Sequence, residues 1–182
     1  MYRALTWKAL SLNIDLEDGE ALSRLAEGTR IEFAPSDKVL VNGGDVTKWI
    51  QDSEVEAGVS MVAKVAGVRK VLVKQQQALA QGGKIVMAGR DIGTTVLPDA
   101  EVKVYLDATL GERARRRYLE LIERGDAADY QAVLDDLRRR DEIDSERAVS
   151  PLQPAPDARI IDTDSCNAEQ VLSEILAMIG ES

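Results

Sequence analysis

The sequence predicts an α/β fold: a parallel sheet flanked by helices, with a small antiparallel β lobe inserted between helical segments. Strand-like runs alternate with helical periodicity in the second half, which is the pattern of a parallel sheet. In the first half, two short β-type runs and a glycine turn interrupt otherwise helical spacing. The chain has 182 residues, 45% hydrophobic and 30% charged, enough for one compact core of ordinary soluble composition.

In order along the chain, residues 1–12 are amphipathic at helical spacing, and the chain opens inside that pattern without a cap. Residues 17–27 form a second short helix, stopped at Gly28. "RIEF" and "KVLV" are β runs separated by "APSD" and followed by the turn "NGGD". From Asp52 to about Gln81, Val55, Val59, Val62, Val65, Val68, Val71 and Leu72 keep helical spacing, and Ala66-Gly67 marks a bend. "KIVMAG" and "EVKVYLDA" predict strands over 84–88 and 101–107. Helices are predicted over 110–124 and about 129–147, ended by Pro151, Pro154 and Pro156. "ARIID", 158–162, is a last strand, and 167–179 a last helix beginning near Asn167. There is no internal repeat and no low-complexity segment.

Composition narrows the chemistry. The net charge of −9 opposes wholesale nucleic-acid binding, which needs cations to neutralise phosphates. With no histidine and a single cysteine, Cys166, soft zinc sites and imidazole acid–base chemistry are not to hand. The lone cysteine fits a reducing compartment, and neither a membrane-length apolar run nor a signal-peptide pattern occurs, so a cytoplasmic location is expected.

Three stretches bear on ligand binding. "GGK" at 82–84 is not a phosphate loop: the first glycine position falls at Ala78, Ile85 follows the lysine, and the stretch precedes a strand. It reads as a helix C-cap. "GRDIG" at 89–93 is placed at the carboxyl end of a predicted strand, where open α/β sheets bind ligands. Gly89 and Gly93 permit a close backbone turn, Arg90 offers a planar fork for phosphate, and Asp91 accepts from an amino group. A self-satisfied Arg–Asp surface turn has the same sequence. In "RRRDEIDSER", residues 138–147, Arg140, Asp144 and Arg147 share one helical face if the helix continues. That face is either a solvated ion-pair ladder or an arginine clamp whose aspartate meets sugar hydroxyls. After Lys103 every cation is arginine, the residue that grips phosphate bidentately, and Arg113, Arg116 and Arg117 share a face that either covers a triphosphate or is solvated.

Taken together, "MYRALTW", "VNGGDVT", "VSMVAKVAGVR", "GRDIGTTVLPDAEVKVYLDAT", "ERARRRYLEL" and "RRRDEIDSERAVSPL" resemble the bacterial cytidylate kinases, the CMP/dCMP kinases of the nucleoside monophosphate kinase family. The resemblance runs in order from Met1 to the last helix. It implies a P-loop-kinase-like sheet and a single kinase domain over 1–182, with 28–51 as the substrate-binding insert and 110–147 as lid-type helices. It implies transfer of the ATP γ-phosphoryl group to CMP or dCMP with Mg²⁺, by a monomer that touches neither nucleic acid nor membrane. By the same resemblance Arg3, Arg90 and Arg147 hold the CMP phosphate. Ser60, Arg69 and Asp91 read cytosine, Arg140 and Asp144 meet the ribose, and Arg113, Arg116 and Arg117 are lid residues over the ATP phosphates. A carboxylate at Asp91 accepts from the cytosine amino group and repels the carbonyl of uracil. Ser60 and Arg69 are nine residues apart, half a turn out of phase on a straight helix, so they reach one base only if the helix bends.

The family opens with a strand, a Gly-Lys-Ser/Thr phosphate loop, a helix and a second strand, roughly 35–40 residues by analogy. None of these occurs here before "MYR". Either an internal methionine has been taken as the start, or the chain is a natural fragment. The expectation is a chain that keeps the acceptor site but lacks the ATP site and its magnesium-binding hydroxyl. It would be inactive alone and marginally stable, with no catalytic residue assigned in it, and its strand before "GRDIG" would be parted from the other two or forced onto them over an unfilled core. The other reading is a non-catalytic nucleotide-binding or interaction fragment.

Overall fold

The computed structural model describes residues 1–146 and 149–180. Two compact units divide the chain: one holds Met1–Met87, the other runs from Ala88 to Glu146 and on from Ser150.

In the first unit, helix α1 spans Tyr2–Ser11 and α2 spans Gly19–Glu27. The Asp18 carboxylate caps α2 by accepting from the backbone of Glu20 and Ala21, satisfying two amides that have no helical partner. Strands β1 (Ile31–Ala34), β2 (Lys38–Val41) and β3 (Gly44–Asp45) form an antiparallel meander. Asn42 and Gly43 carry φ of 49° and 83° and join β2 to β3 as the tight turn that "NGGD" predicts. The Asn42 side chain accepts from the Arg30 amide and donates to the Gly28 carbonyl, fastening the lobe to the end of α2. Helices α3 (Ser53–Ala63) and α4 (Ala66–Ala80) follow. Leu5, Leu22, Ile31, Val41, Val62, Val68 and Leu72 are among the side chains that close one apolar core over these elements.

The predicted long helix over 52–81 is therefore two helices. The break falls at Val65, whose extended backbone (φ −72°, ψ 116°) suits a β-branched residue, rather than at Ala66-Gly67. Gly67 is small because α2 passes against it: a Cβ there would lie 2.6 Å from Ser23 Cβ.

In the second unit, Ile92–Val96 winds as a short π-turn. Strand β4 (Val104–Asp107) pairs in parallel with β5 (Arg159–Asp162), Leu106 opposite Ile161. Helices α5 (Leu110–Glu123), α6 (Tyr130–Glu146) and α7 (Ala168–Gly180) complete the unit. Apolar side chains of α7 at Leu172, Leu176 and Ile179 recur on one face and are about half exposed, as are Leu106 and Ile160 of the sheet.

The third parallel strand, expected over 84–88, does not form. The stretch pairs with no strand among the described residues, and Val86 is 93% exposed. Gly83 and Lys84, at φ of 66° and 52°, turn the chain as α4 ends, and no strand among the described residues supplies a ladder partner. The parallel sheet described here thus has two strands.

Helix α5 begins with a Thr-x-x-Glu start: Thr109 Oγ1 accepts from the Glu112 amide at 3.3 Å. The Glu112 carboxylate turns instead to Arg115 and Arg116, and their hydrogen bonds hold it down at about 2, from an ordinary 4.5. A carboxyl depressed in the folded state stabilises above its unfolded pKa and loses that contribution as pH falls through the folded value. Glu112→Gln is accordingly expected to lower thermal stability slightly at neutral pH and to flatten its loss between pH 4.5 and 2, so that variant and wild type converge in acid. Melting curves across that window check it; an unchanged acid limb would count against the assignment.

Candidate functional site

In the first unit, α1, α3 and α4 carry Arg3, Ser60 and Arg69. Arg3 Nη2 donates to Glu56 Oε1 at 3.2 Å, so the packing of α1 on α3 sets its direction. Ser60 is buried, and so is Arg69, which is 2% exposed. The Arg69 guanidinium donates to the Ala63 carbonyl at 3.4 Å and stands over the Tyr2 ring, 5.8 Å from its centroid. The break at Val65 puts Ser60 and Arg69 on separate helices and removes the phase conflict of a straight one.

In the second unit, Arg90 and Asp91 lie at the entry to the π-turn. Carbonyl Asp91 O accepts from the amides of Thr95 and Val96, which turns the chain sharply there. Asp91 is 5% exposed, whereas the Arg90 side chain is 45% exposed. The structure therefore separates the neighbours, one carboxylate inward and one guanidinium toward solvent. Neither Gly89 nor Gly93 needs a left-handed backbone. At Gly89 the constraint is space, since a Cβ would lie 3.0 Å from Ile92.

Helix α6 brings Arg140, Asp141 and Asp144 to the same unit. Asp144 is buried, and its backbone carbonyl accepts from Leu152 N at 2.8 Å. Arg90 Nε lies 3.5 Å from Asp144 Oδ2, and Arg90 Nη1 lies 3.6 Å from Asp141 Oδ1. Arg140 Nε pairs with Asp136 one helical turn back, at 2.9 Å. Arg147 lies outside the described residues. Each of the three candidate arginines on α5, Arg113, Arg116 and Arg117, has a protein partner. Arg113 forks onto Asp141 at 2.7 and 3.1 Å, Arg116 bonds Glu112 and Thr163, and Arg117 meets Glu120 at 2.7 Å. The Asp141 carboxylate raises the pKa of Arg113 above its ordinary value.

Sequence reasoning missed Glu56, Tyr2 and Asp141. Asp141 had a signal: it stands three residues before Asp144, the spacing of neighbours on a helix. Nothing in sequence pairs Glu56 with Arg3, because that contact depends on how two helices pack. A groove of about 680 Å³ opens in the first unit beside Arg30, Phe33, Asn42, Gln75 and Leu79, and none of the candidate residues lines it. No group of three or more carboxylate, thiol or imidazole side chains positioned to hold a metal occurs among the described residues. Likewise no described helix is long and apolar enough to cross a membrane.

The cytidylate kinase family model matches residues 1–181. The chain belongs to the cytidylate kinase family. It is 49% identical over 184 residues to the cytidylate kinase of Geobacillus kaustophilus strain HTA426. It is 50% identical over 184 residues to that of Bacillus velezensis and 47% over 184 to that of Bacillus subtilis strain 168. In each case all of this chain and 82% of the relative are covered. Membership makes the chain a nucleoside monophosphate kinase by kinship, and the α/β architecture with its parallel sheet and small antiparallel lobe agrees with a cytidylate kinase.

Proposed function

We propose that this chain carries the acceptor half of a (d)CMP kinase, which moves the γ-phosphoryl group of ATP to CMP or dCMP and yields CDP or dCDP. The observation that supports it most is the GRDIG turn, which buries Asp91 and leaves Arg90 outward beside Asp144, within a family match over residues 1–181.

The reaction breaks the bond from the γ-phosphorus to the bridging oxygen of ADP and forms one to an oxygen of the CMP phosphate. That oxygen is already ionised at neutral pH, so no general base is required, and the protein's work is positioning and charge stabilisation. Arg3, Arg90 and Arg147 hold the acceptor phosphate. Asp91 accepts from the cytosine amino group, supported by Ser60 and Arg69, and Arg140 and Asp144 meet the ribose. Arg113, Arg116 and Arg117 reach the ATP phosphates only by leaving their present partners. We read 1–182 as one kinase domain, with 28–51 as the substrate insert and 110–147 as the lid helices, acting as a cytoplasmic monomer.

Magnesium enters with ATP in this reading: the described carboxylates form no cage for it, and the sequence has no Gly-x₄-Gly-Lys-Ser/Thr loop. The chain by itself is therefore expected to bind CMP or dCMP in preference to UMP and to release no ADP from ATP. Calorimetric titration and a coupled ADP-release assay test both parts. Absence of CMP and dCMP binding would sink the nucleotide reading and favour an interaction fragment, while turnover by the chain alone would overturn the inactivity.

A further inference from the structure

Four charges of the second unit form one chain of ion pairs, Arg113–Asp141–Arg90–Asp144. Two guanidinium groups face two carboxylates, so the charges of these four groups cancel. The links are unequal. Arg113 takes both oxygens of Asp141 at hydrogen-bond distance and also donates to the Ala108 carbonyl at 3.1 Å. Arg90 sits 3.5 and 3.6 Å from its two carboxylates, beyond the range of good hydrogen bonds. Among the described residues these two contacts hold Arg90 by charge rather than by good hydrogen bonds. Asp141 is already clamped by a second arginine, Arg113, and keeps its place whether or not Arg90 stays.

We propose that Asp141 is a positioning residue that limits how tightly Arg90 holds a phosphate. The inference rests on the reading of Arg90 as the acceptor-phosphate grip. An incoming phosphate must approach Arg90 against the field of Asp141, and it must compete with that carboxylate for the guanidinium. Removing the charge takes away both the repulsion and the competitor. One unit charge a few ångströms off, partly screened by solvent, changes anion affinity on the order of threefold to tenfold. The expected sign is opposite to that of an ordinary site mutation: binding tightens.

The test is Asp141→Asn, which keeps the size of the side chain and an oxygen for the Arg113 fork while removing the charge. Inorganic phosphate, CMP and cytidine are titrated against wild type, Asp141→Asn and Asp141→Glu at fixed ionic strength. The expected result is threefold to tenfold tighter binding of phosphate and of CMP by Asp141→Asn, unchanged binding of cytidine, and near-wild-type values for Asp141→Glu. Structural damage would instead weaken CMP and cytidine together. Phosphate binding that is unchanged, weaker or undetectable in both wild type and Asp141→Asn overturns the proposal. So does tightening that Asp141→Glu reproduces. A wild type that binds phosphate but not CMP defeats the nucleotide reading instead, and the phosphate comparison still decides the role of Asp141.

Discussion

Gly67→Ala is expected to lower the unfolding free energy by roughly 1–3 kcal/mol, the range for overpacking a closed contact. Helix propensity alone argues the other way, since alanine in place of glycine gains up to about 1 kcal/mol inside a helix. Sterics decide. The new Cβ would lie 2.1 Å from Ser23 Oγ and 2.6 Å from Ser23 Cβ. Rotating the serine hydroxyl relieves the first contact but not the second, so α2 and α4 must move apart or the backbone must shift. Leu22 and Ala26 on α2 and Val68 and Leu72 on α4 are all buried in the core that such a shift would loosen. The source of the cost is checked by a double-mutant cycle with Ser23→Gly. Denaturant unfolding should show Gly67→Ala costing far less in the Ser23→Gly background than alone. Equal costs in both backgrounds, or no cost in either, would place the reason for Gly67 elsewhere.

Asp91→Ala is expected to reduce the preference for CMP over UMP roughly 5- to 150-fold, the equivalent of about 1–3 kcal/mol for one unmade hydrogen bond to a buried group. The burial of Asp91 is what makes the effect large, because water does not readily replace the lost acceptor. In the proposed roles Arg90 and Arg147 meet the phosphate that every monophosphate carries, so Arg90→Ala and Arg147→Ala should weaken CMP and UMP by similar factors. Asp91→Asn separates recognition from packing. It retains the volume, and its amide can turn a donor toward the uracil carbonyl, so it should shift preference toward UMP. The affinities are measured by titration of wild type and each variant with CMP and UMP. Equal loss of selectivity in the aspartate and arginine variants would contradict the roles assigned to them.

The sequence was most informative where local chemistry governs. The Asn42-Gly43 turn, the helix from 110 and the helical periods of α1, α2 and α7 depend on neighbours a few residues away, and their positions followed. It failed where structure needs a distant partner. "KIVM" has the composition of a buried strand, yet a strand exists only with a ladder beside it, and residues 84–88 have none among the described strands. Likewise, the glycine at 67 signalled a bend, but a glycine in sequence does not reveal whether it supplies freedom or space. Of the candidate site, Arg90 and Asp91 were legible as a pair of opposite chemistry, and the structure separates them by exposure. Asp141 was hidden because the ladder of Arg140, Asp144 and Arg147 drew notice to the face beside it. Its partners on α5 and in the GRDIG turn are 28 and 51 positions away.

The apolar side chains exposed on α7 and on the two-stranded sheet bear on how the protein keeps in solution. With a net charge of −9, copies repel one another at low ionic strength, and that repulsion opposes association through Leu172, Leu176 and Ile160 at the surface. Added salt shortens the reach of that repulsion from about 10 Å at 0.1 M to about 3 Å at 1 M, and excluded salts such as sulfate strengthen apolar contact as they do so. Shelf life and crystallisation behaviour are then governed by the buffer, with dilute salt favouring clear stocks and ammonium sulfate favouring clustering through these side chains.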